Sequence, residues 1–293
     1  MEKVLVIVGP TAVGKTSFGI KCANSFDGEI ISGDSIQIYK GLDIGSGKAS
    51  KEELASAVHH LIDIKEADES YSVKEFQSLC REYIDDISKR NKLPIIVGGT
   101  GLYIKASLYD YKFMDEEVED YDYPELSNEQ LYEKLKQIDP KALEKIHVNN
   151  RRRLLRAINI YEKHNQSMSE IKDEQEHKPI YDCLIIGLTD ERDKIYSNIS
   201  KRVDKMVEDG LIDEIKTLLD KGIGFDNQCM KAIGYKEFEE YFKGSKTLEE
   251  CVEMVKTNSR RFAKRQYTFF NNQLNVEWYT DTKQALKRIE EWI

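Results

Sequence analysis

Gly9-Pro10-Thr11-Ala12-Val13-Gly14-Lys15-Thr16 sets two glycines five positions apart, with a lysine and a hydroxyl directly after the second. The pattern G-x-x-x-x-G-K-[ST] is that of a phosphate-binding loop. Its glycines let backbone N–H groups turn inward, its lysine adds a point charge, and the Thr16 hydroxyl suits Mg²⁺. The loop asks for phosphate groups on a small molecule without naming the molecule. Asp34 closes the short apolar stretch "GEIISGDS", with Ser35, Ile36 and Gln37 after it. This polar group suits a second substrate. A kinase or ATPase should also carry an Asp for a metal-bound water at the end of a further apolar strand, but "LPIIVGG" runs into Gly98-Gly99-Thr100. The Gly45–Lys48 stretch, "GSGK", has the wrong glycine spacing and is followed by Ala49, so it is not a second phosphate loop.

These residues need a scaffold, and the spacing of apolar residues suggests one. "KVLVIVGP" reads as a buried parallel strand that delivers the chain into the loop, and Phe18, Cys22 and Phe26 then recur at helical spacing. "GEIISGDS", "LPIIVGG" and "DCLIIGL" are further strands, and the Val73–Arg90 stretch between two of them is helical. The alternation predicts an α/β fold: a P-loop NTPase-like parallel sheet flanked by helices. From about Phe113 to Pro179 the alternation stops, and no convincing strand is visible. The expected organisation is a core of residues 1–112 and 182–293 with an all-helical insertion at 113–181. After Asp190 the chain reads as helical until "NVEWY".

A chain of 293 residues with 40% hydrophobic content can fill a real core. No apolar run approaches the roughly 18 residues of a membrane span, and the Met1-Glu2-Lys3 start leads into a run of only five apolar residues before Gly9. A cytoplasmic protein without a membrane role is expected. The five cysteines, Cys22, Cys80, Cys183, Cys229 and Cys251, are scattered and read as reduced packing residues. The net charge of -9 argues against a protein that coats nucleic acid indiscriminately, yet it hides a segregation. Met114 to Glu125 holds seven acidic residues and no basic one, whereas Lys145 to Arg156 holds Lys145, Arg151, Arg152, Arg153 and Arg156 and no acid. "KTNSRRFAKRQ" is a second basic cluster. Such runs are commonly solvated faces.

Four segments in order resemble the tRNA dimethylallyltransferase (tRNA isopentenyltransferase) family, bacterial type: "GPTAVGKT", "SGDSIQIYKGLDIGSGK", "PIIVGGTGLYIKA" and "FAKRQYTFF". Weaker similarity at His59, Tyr71, Ile146 and Arg202 extends it over almost the whole chain. The resemblance implies that the loop, Gly9 to Thr16, holds the pyrophosphate of dimethylallyl diphosphate rather than ATP, despite the nucleotide-binding label such a loop attracts. It implies transfer of the prenyl group to N6 of the adenosine just 3′ of the anticodon, with pyrophosphate released and Mg²⁺ on Thr16. Asp34 matches the family's general base, Thr100 its threonine near the reacting bond, and Arg202 an arginine near the pyrophosphate. The sequence departs from the family at Gly45-Ser46-Gly47-Lys48, His147-Val148-Asn149-Asn150 and Thr268-Phe269.

An enzyme that modifies a base of an anticodon loop has to take that base out of its stack, and its phosphate contacts need basic surface. Asp34, Ser35, Ile36, Gln37 and Thr100 are the expected base-side contacts. In helical projection Arg152, Arg156, Asn159 and Lys163 share one face, with Leu154, Ile158 and Tyr161 opposite. The late segment likewise puts Val255, Phe262 and Phe269 inward and Arg260, Arg261, Lys264 and Arg265 outward. Arg152, Arg153, Arg156, Lys264 and Arg265 are therefore the expected contacts to the anticodon stem-loop, and no obligate protein partner is suggested. Three other readings stay open: a transferase acting on free AMP or ADP, a P-loop small-molecule kinase, and an RNA-binding protein without catalysis.

Overall fold

Val4 to Val8 have no exposed surface, so the strand they form, β1 (Lys3–Val8), has to be covered on both faces. In the computed structural model, which describes residues 1–113, 121–174 and 178–293, β1 lies inside a six-stranded sheet. The other strands are β2 (Gly28–Gly33), β3 (His59–His60), β4 (Leu93–Gly98), β5 (Asp182–Leu188) and β6 (Glu277–Tyr279). All pairings are parallel, in the order β3-β2-β4-β1-β5-β6.

Successive side chains of a strand point to opposite faces, and each face has its own core. Leu5, Ile7, Ile30, Ile95 and Ile186 pack against α1 (Lys15–Ser25) and α12 (Thr282–Trp292). Val4, Val6, Val8, Ile31, Ile96 and Ile185 face the larger core, which is filled by α3 (Val73–Lys89), α4 (Gly101–Leu108), α8 (Arg192–Glu208), α9 (Leu211–Asp220) and α11 (Leu248–Gln273). Short helices α2 (Lys51–Ser56) and α10 (Glu239–Phe242) lie between them in sequence. All five cysteines are free thiols and four are buried, as packing residues should be.

β2 carries a carboxylate at each end, with different fates. Glu29 is 2% exposed and held by Arg90, Lys92 and His60. Hydrogen bonds from the Arg90 guanidinium hold its carboxyl down at about 2. This network ties β2 to the end of α3. Asp34, just beyond the other end of β2, lines a cavity instead.

The chain leaves the sheet core after Tyr109 and re-enters at Pro179, which form an antiparallel bridge. Residues 110–178 are a second compact unit. The bridge places its limits three residues before the 113 and 181 suggested by the sequence pattern. Its own core joins Leu131 and Leu135 of α5 (Asn128–Ile138) to Leu154, Ala157 and Ile158 of α6 (Arg151–His164), and α7 (Met168–Glu174) follows. Its described residues include helices and no strand. Most of the acidic run from Met114 to Glu125 lies outside the described residues.

Candidate active site

A cavity of about 230 Å³ opens at the C-terminal ends of β1, β2 and β4, where parallel α/β sheets receive their ligands. One wall is the phosphate loop. Gly9 has φ +146°, and a Cβ there would lie 2.4 Å from the Leu188 carbonyl oxygen. Gly14, φ +86°, turns the chain into α1, whose first turn has neither a side-chain cap nor an acidic residue. The unclaimed N–H groups of that turn and the positive end of the helix dipole favour an anion.

Lys15 and Arg202 add two cations to the same cavity. The Lys15 Nζ donates to the Pro10 carbonyl at 2.8 Å. Its pKa is lowered to about 7, first by burial and then by the Arg202 charge, with Asp34 pulling the other way. Burial also lowers the Arg202 pKa, again against Asp34. Two basic side chains are thus crowded beside Asp34, and the cavity's other carboxylate, Glu53 of α2, accepts the Ser50 N–H.

Asp34 divides its work between its oxygens. Oδ1 accepts the Ile36 N–H at 2.8 Å and the Gln37 N–H at 3.4 Å, which fixes the turn after β2. No hydrogen bond engages Oδ2 among the described residues, so it is available to a ligand. The Thr100 N–H donates to the Gly33 carbonyl at 3.2 Å, and its hydroxyl lies 3.5 Å from the Ser35 hydroxyl. Parallel pairing of Gly33 with Gly98 thus brings Asp34, Ser35 and Thr100 to one sheet end. Ile36 is half-buried and packs on the larger core. The Gln37 amide is oriented by the Ser32 hydroxyl, which donates to it at 3.1 Å, and by the Gly47 carbonyl, which accepts from it at 3.3 Å.

The "GSGK" departure becomes intelligible here. Asp43, Ile44 and Gly45 all donate their N–H groups to the Glu214 carboxylate, at 2.7–3.1 Å, and the Tyr235 hydroxyl donates to it as well. The loop wrapped on Glu214 carries Ser46 and Gly47 into the cavity wall. Gly47, φ +60°, lies so close to Arg202 that a Cβ would fall 1.6 Å from its Nη2. Lys48 is not a phosphate lysine: its ammonium is shared by the Tyr39 carbonyl, Asp43 and Asp63, and its side chain is 4% exposed.

Sequence reasoning overlooked Gln266. It is 5% exposed on α11, its Oε1 accepts the Thr11 N–H at 3.1 Å and its Nε2 donates to the Gly99 carbonyl at 3.0 Å. A glutamine on the buried stripe of a helix was the available signal, since a buried amide requires partners. Phe262 also lines the cavity, with the Arg265 guanidinium 5.6 Å from its ring centre.

The helical projections need correcting at Asn159 and Arg260, and Arg151 of the basic run proves to be spoken for. Asn159 is not on the arginine ridge: it is 4% exposed, and its amide both accepts the Tyr121 N–H and donates to the Tyr121 carbonyl at 3.0 Å. Arg151 is structural, bonding the carbonyls of Asp122, Tyr123 and Leu126. Arg260 turns toward α8 and bonds Ser200. Arg152, Arg153 and Arg156 remain exposed, their guanidinium groups without partners among the described residues, and Lys264 and Arg265 are exposed on α11. Asn150 accepts the Arg153 N–H at 3.3 Å and caps α6, so the changed residues there still start the helix.

A sequence model described as IPP transferase matches residues 37–273. The chain belongs to the IPP transferase family. The tRNA dimethylallyltransferase of Anoxybacillus flavithermus is 52% identical over 99% of this chain and 94% of its own, which includes the phosphate loop. Among solved structures, a full-length tRNA isopentenylpyrophosphate transferase from Bacillus halodurans is 44% identical, with a TM-score of 0.76 over 100% of this chain and 95% of its own. A eukaryotic dimethylallyltransferase acting on tRNA is 30% identical, with a TM-score of 0.84 over 97% of this chain and 75% of its own. No helix among the described residues is long and apolar enough to cross a membrane.

The donor set also bears on a metal. The Thr16 hydroxyl lines the cavity and has no hydrogen bond among the described residues. Asp34 lines the same cavity, and no described group of three His, Cys, Asp or Glu side chains gathers there or elsewhere. Such sparse, hard oxygen donors fit Mg²⁺, which keeps most of its ligands as water and substrate phosphate.

Proposed function

We propose that this chain is a tRNA dimethylallyltransferase: it transfers the dimethylallyl group of dimethylallyl diphosphate to N6 of the adenosine immediately 3′ of the anticodon and releases pyrophosphate. The observation that carries the reading is one cavity that joins a phosphate loop and two cations to a carboxylate with a free oxygen. In the reaction a C–N bond forms to the allylic carbon as its C–O bond to diphosphate breaks. An exocyclic amine is a weak nucleophile because its lone pair is delocalised into the ring. Oδ2 of Asp34 takes the N6 proton as the new bond forms. Negative charge gathers on the departing pyrophosphate, and the loop N–H groups, Lys15 and Arg202 stabilise it. Mg²⁺ held on Thr16 would supply further charge compensation to the same phosphates.

The acceptor side follows from the turn that Asp34 holds. Ser35 and Gln37 stand beside the base, and the second lone pair and second hydrogen of the Gln37 amide remain for adenine. Thr100 stands at the same sheet end. Arg152, Arg153, Arg156, Lys264 and Arg265 give phosphate contacts to the anticodon stem-loop. A kinase reading lacks support because β4 ends in glycines, and a free AMP or ADP acceptor leaves the exposed arginines of α6 without use. A cytoplasmic location, where unmodified tRNA is met, fits the reading.

The test supplies Mg²⁺ and radiolabelled dimethylallyl diphosphate with unmodified tRNA, AMP or ATP in separate reactions. Label in tRNA alone is expected. Label in AMP or ATP would replace tRNA as the acceptor, and ATP consumption without transfer would return the loop to nucleotide chemistry.

A further inference from the structure

We infer that Gln266 is a positioning residue that sets the spacing between the phosphate loop and the Gly99–Thr100 turn. The inference rests on the reading of that loop as the diphosphate cradle. A single buried amide bridges the two segments: Oε1 accepts the Thr11 N–H and Nε2 donates to the Gly99 carbonyl. The fit is close, because a Cβ on Gly99 would lie 2.2 Å from Nε2. Thr11 and Gly99 line the cavity, and no other hydrogen bond in the described residues ties these two segments to α11. Gln266 therefore fixes how far the leaving pyrophosphate sits from the strand end that carries Thr100. Its amide needs one acceptor and one donor pointing opposite ways. Neither Leu nor Met provides these, and an ionised Glu provides acceptors only.

Those requirements separate positioning from packing. Gln266→Met keeps the volume and loses both bonds. Gln266→Glu keeps the shape and loses the donor while ionised; burial at this position and the facing Gly99 carbonyl both favour its protonated form, whose O–H can donate to that carbonyl. Turnover, donor affinity and tRNA affinity are measured for both variants and the unsubstituted protein between pH 5.5 and 8.5, with melting temperatures recorded. At pH 8 turnover falls on the order of 10-fold to 100-fold in both variants, as expected for reactants held out of line, with both affinities within about threefold. As the pH falls, the ratio of Gln266→Glu turnover to unsubstituted turnover rises, whereas the Gln266→Met ratio stays flat. A Gln266→Met protein with normal turnover would overturn the role. So would parallel pH profiles for the two variants, which would reduce Gln266 to a packing residue. Failure of the unsubstituted protein to bind dimethylallyl diphosphate would instead overturn the cradle reading, and this role with it.

Discussion

Lys15 gives the most quantitative test of the site, because its pKa lies close to neutral pH. Burial and the Arg202 charge bring its pKa to about 7. A diphosphate bound against the loop places negative charge beside the ammonium and raises that pKa again. A group whose pKa rises on binding takes up protons, so affinity for the donor weakens as pH rises above about 7. The fraction of Lys15 that is neutral before binding sets the uptake: about 0.1 proton at pH 6, about 0.5 at pH 7 and about 0.9 at pH 8. Titration calorimetry measures this number when dimethylallyl diphosphate, without an acceptor, is bound in buffers of different ionisation enthalpy. The diphosphate has proton equilibria of its own, so the comparison is with Lys15→Arg, whose guanidinium stays charged. The difference between the two proteins isolates Lys15 and should grow from pH 6 to pH 8. A difference near zero at pH 8, or one that is larger at pH 6, would refute the reasoning that the lysine is held partly neutral by its surroundings.

Asp34→Asn retains an oxygen for the Ile36 and Gln37 N–H groups and removes the base. Single-turnover transfer should slow by about two orders of magnitude, with tRNA affinity in filter binding little changed; near-normal turnover would end the proton-accepting role. Arg152→Ala with Arg156→Ala removes two exposed charges outside the helical unit's core. The slope of log tRNA affinity against log salt should flatten by roughly 1.4 to 1.8 with the melting temperature unchanged, and an unaltered slope would make α6 an ordinary solvated surface.

The parts of this molecule that sequence reveals are those whose causes are local. The phosphate loop is eight consecutive residues whose glycines are required by the backbone, and β1, β2, β4 and β5 are apolar runs because both faces of a parallel sheet are covered. The family resemblance singles out Asp34, Thr100 and Arg202; Asp34 and Arg202 line one cavity, and Thr100 lies beside Ser35. What sequence hid depends on distant partners. β3 is two residues long and exists only because Ile30 and Ile31 offer it an edge. The loop from Asp43 to Gly47 takes its shape from a carboxylate about 170 residues away, and Gln266 reaches loops 255 and 167 residues distant. Asn159 shows the limit of a helical projection, which gives an angle around an axis but not what arrives there; the Tyr121 backbone does, and it turns a supposed surface residue into a buried clasp.

The phosphate loop by itself was the least decisive feature despite being the most visible. Its uncapped helix start, glycine backbone and lysine solve one physical problem, that of holding an anion, and the solution is the same for a nucleotide and for an allylic diphosphate. The distinction lies in what faces the anion across the cavity. A phosphoryl transferase stabilises charge on the transferred phosphate, and its acidic residues serve a metal. Here β4 contributes glycines that admit close backbone approach, and the one carboxylate of the cavity wall at a strand end, Asp34, sits in a turn beside Ser35 and Gln37. A carboxylate with one oxygen committed to the backbone and one left free is suited to receive a proton from a nucleophile placed by that same turn. The loop holds the group that leaves, and the turn after β2 defines the group that attacks.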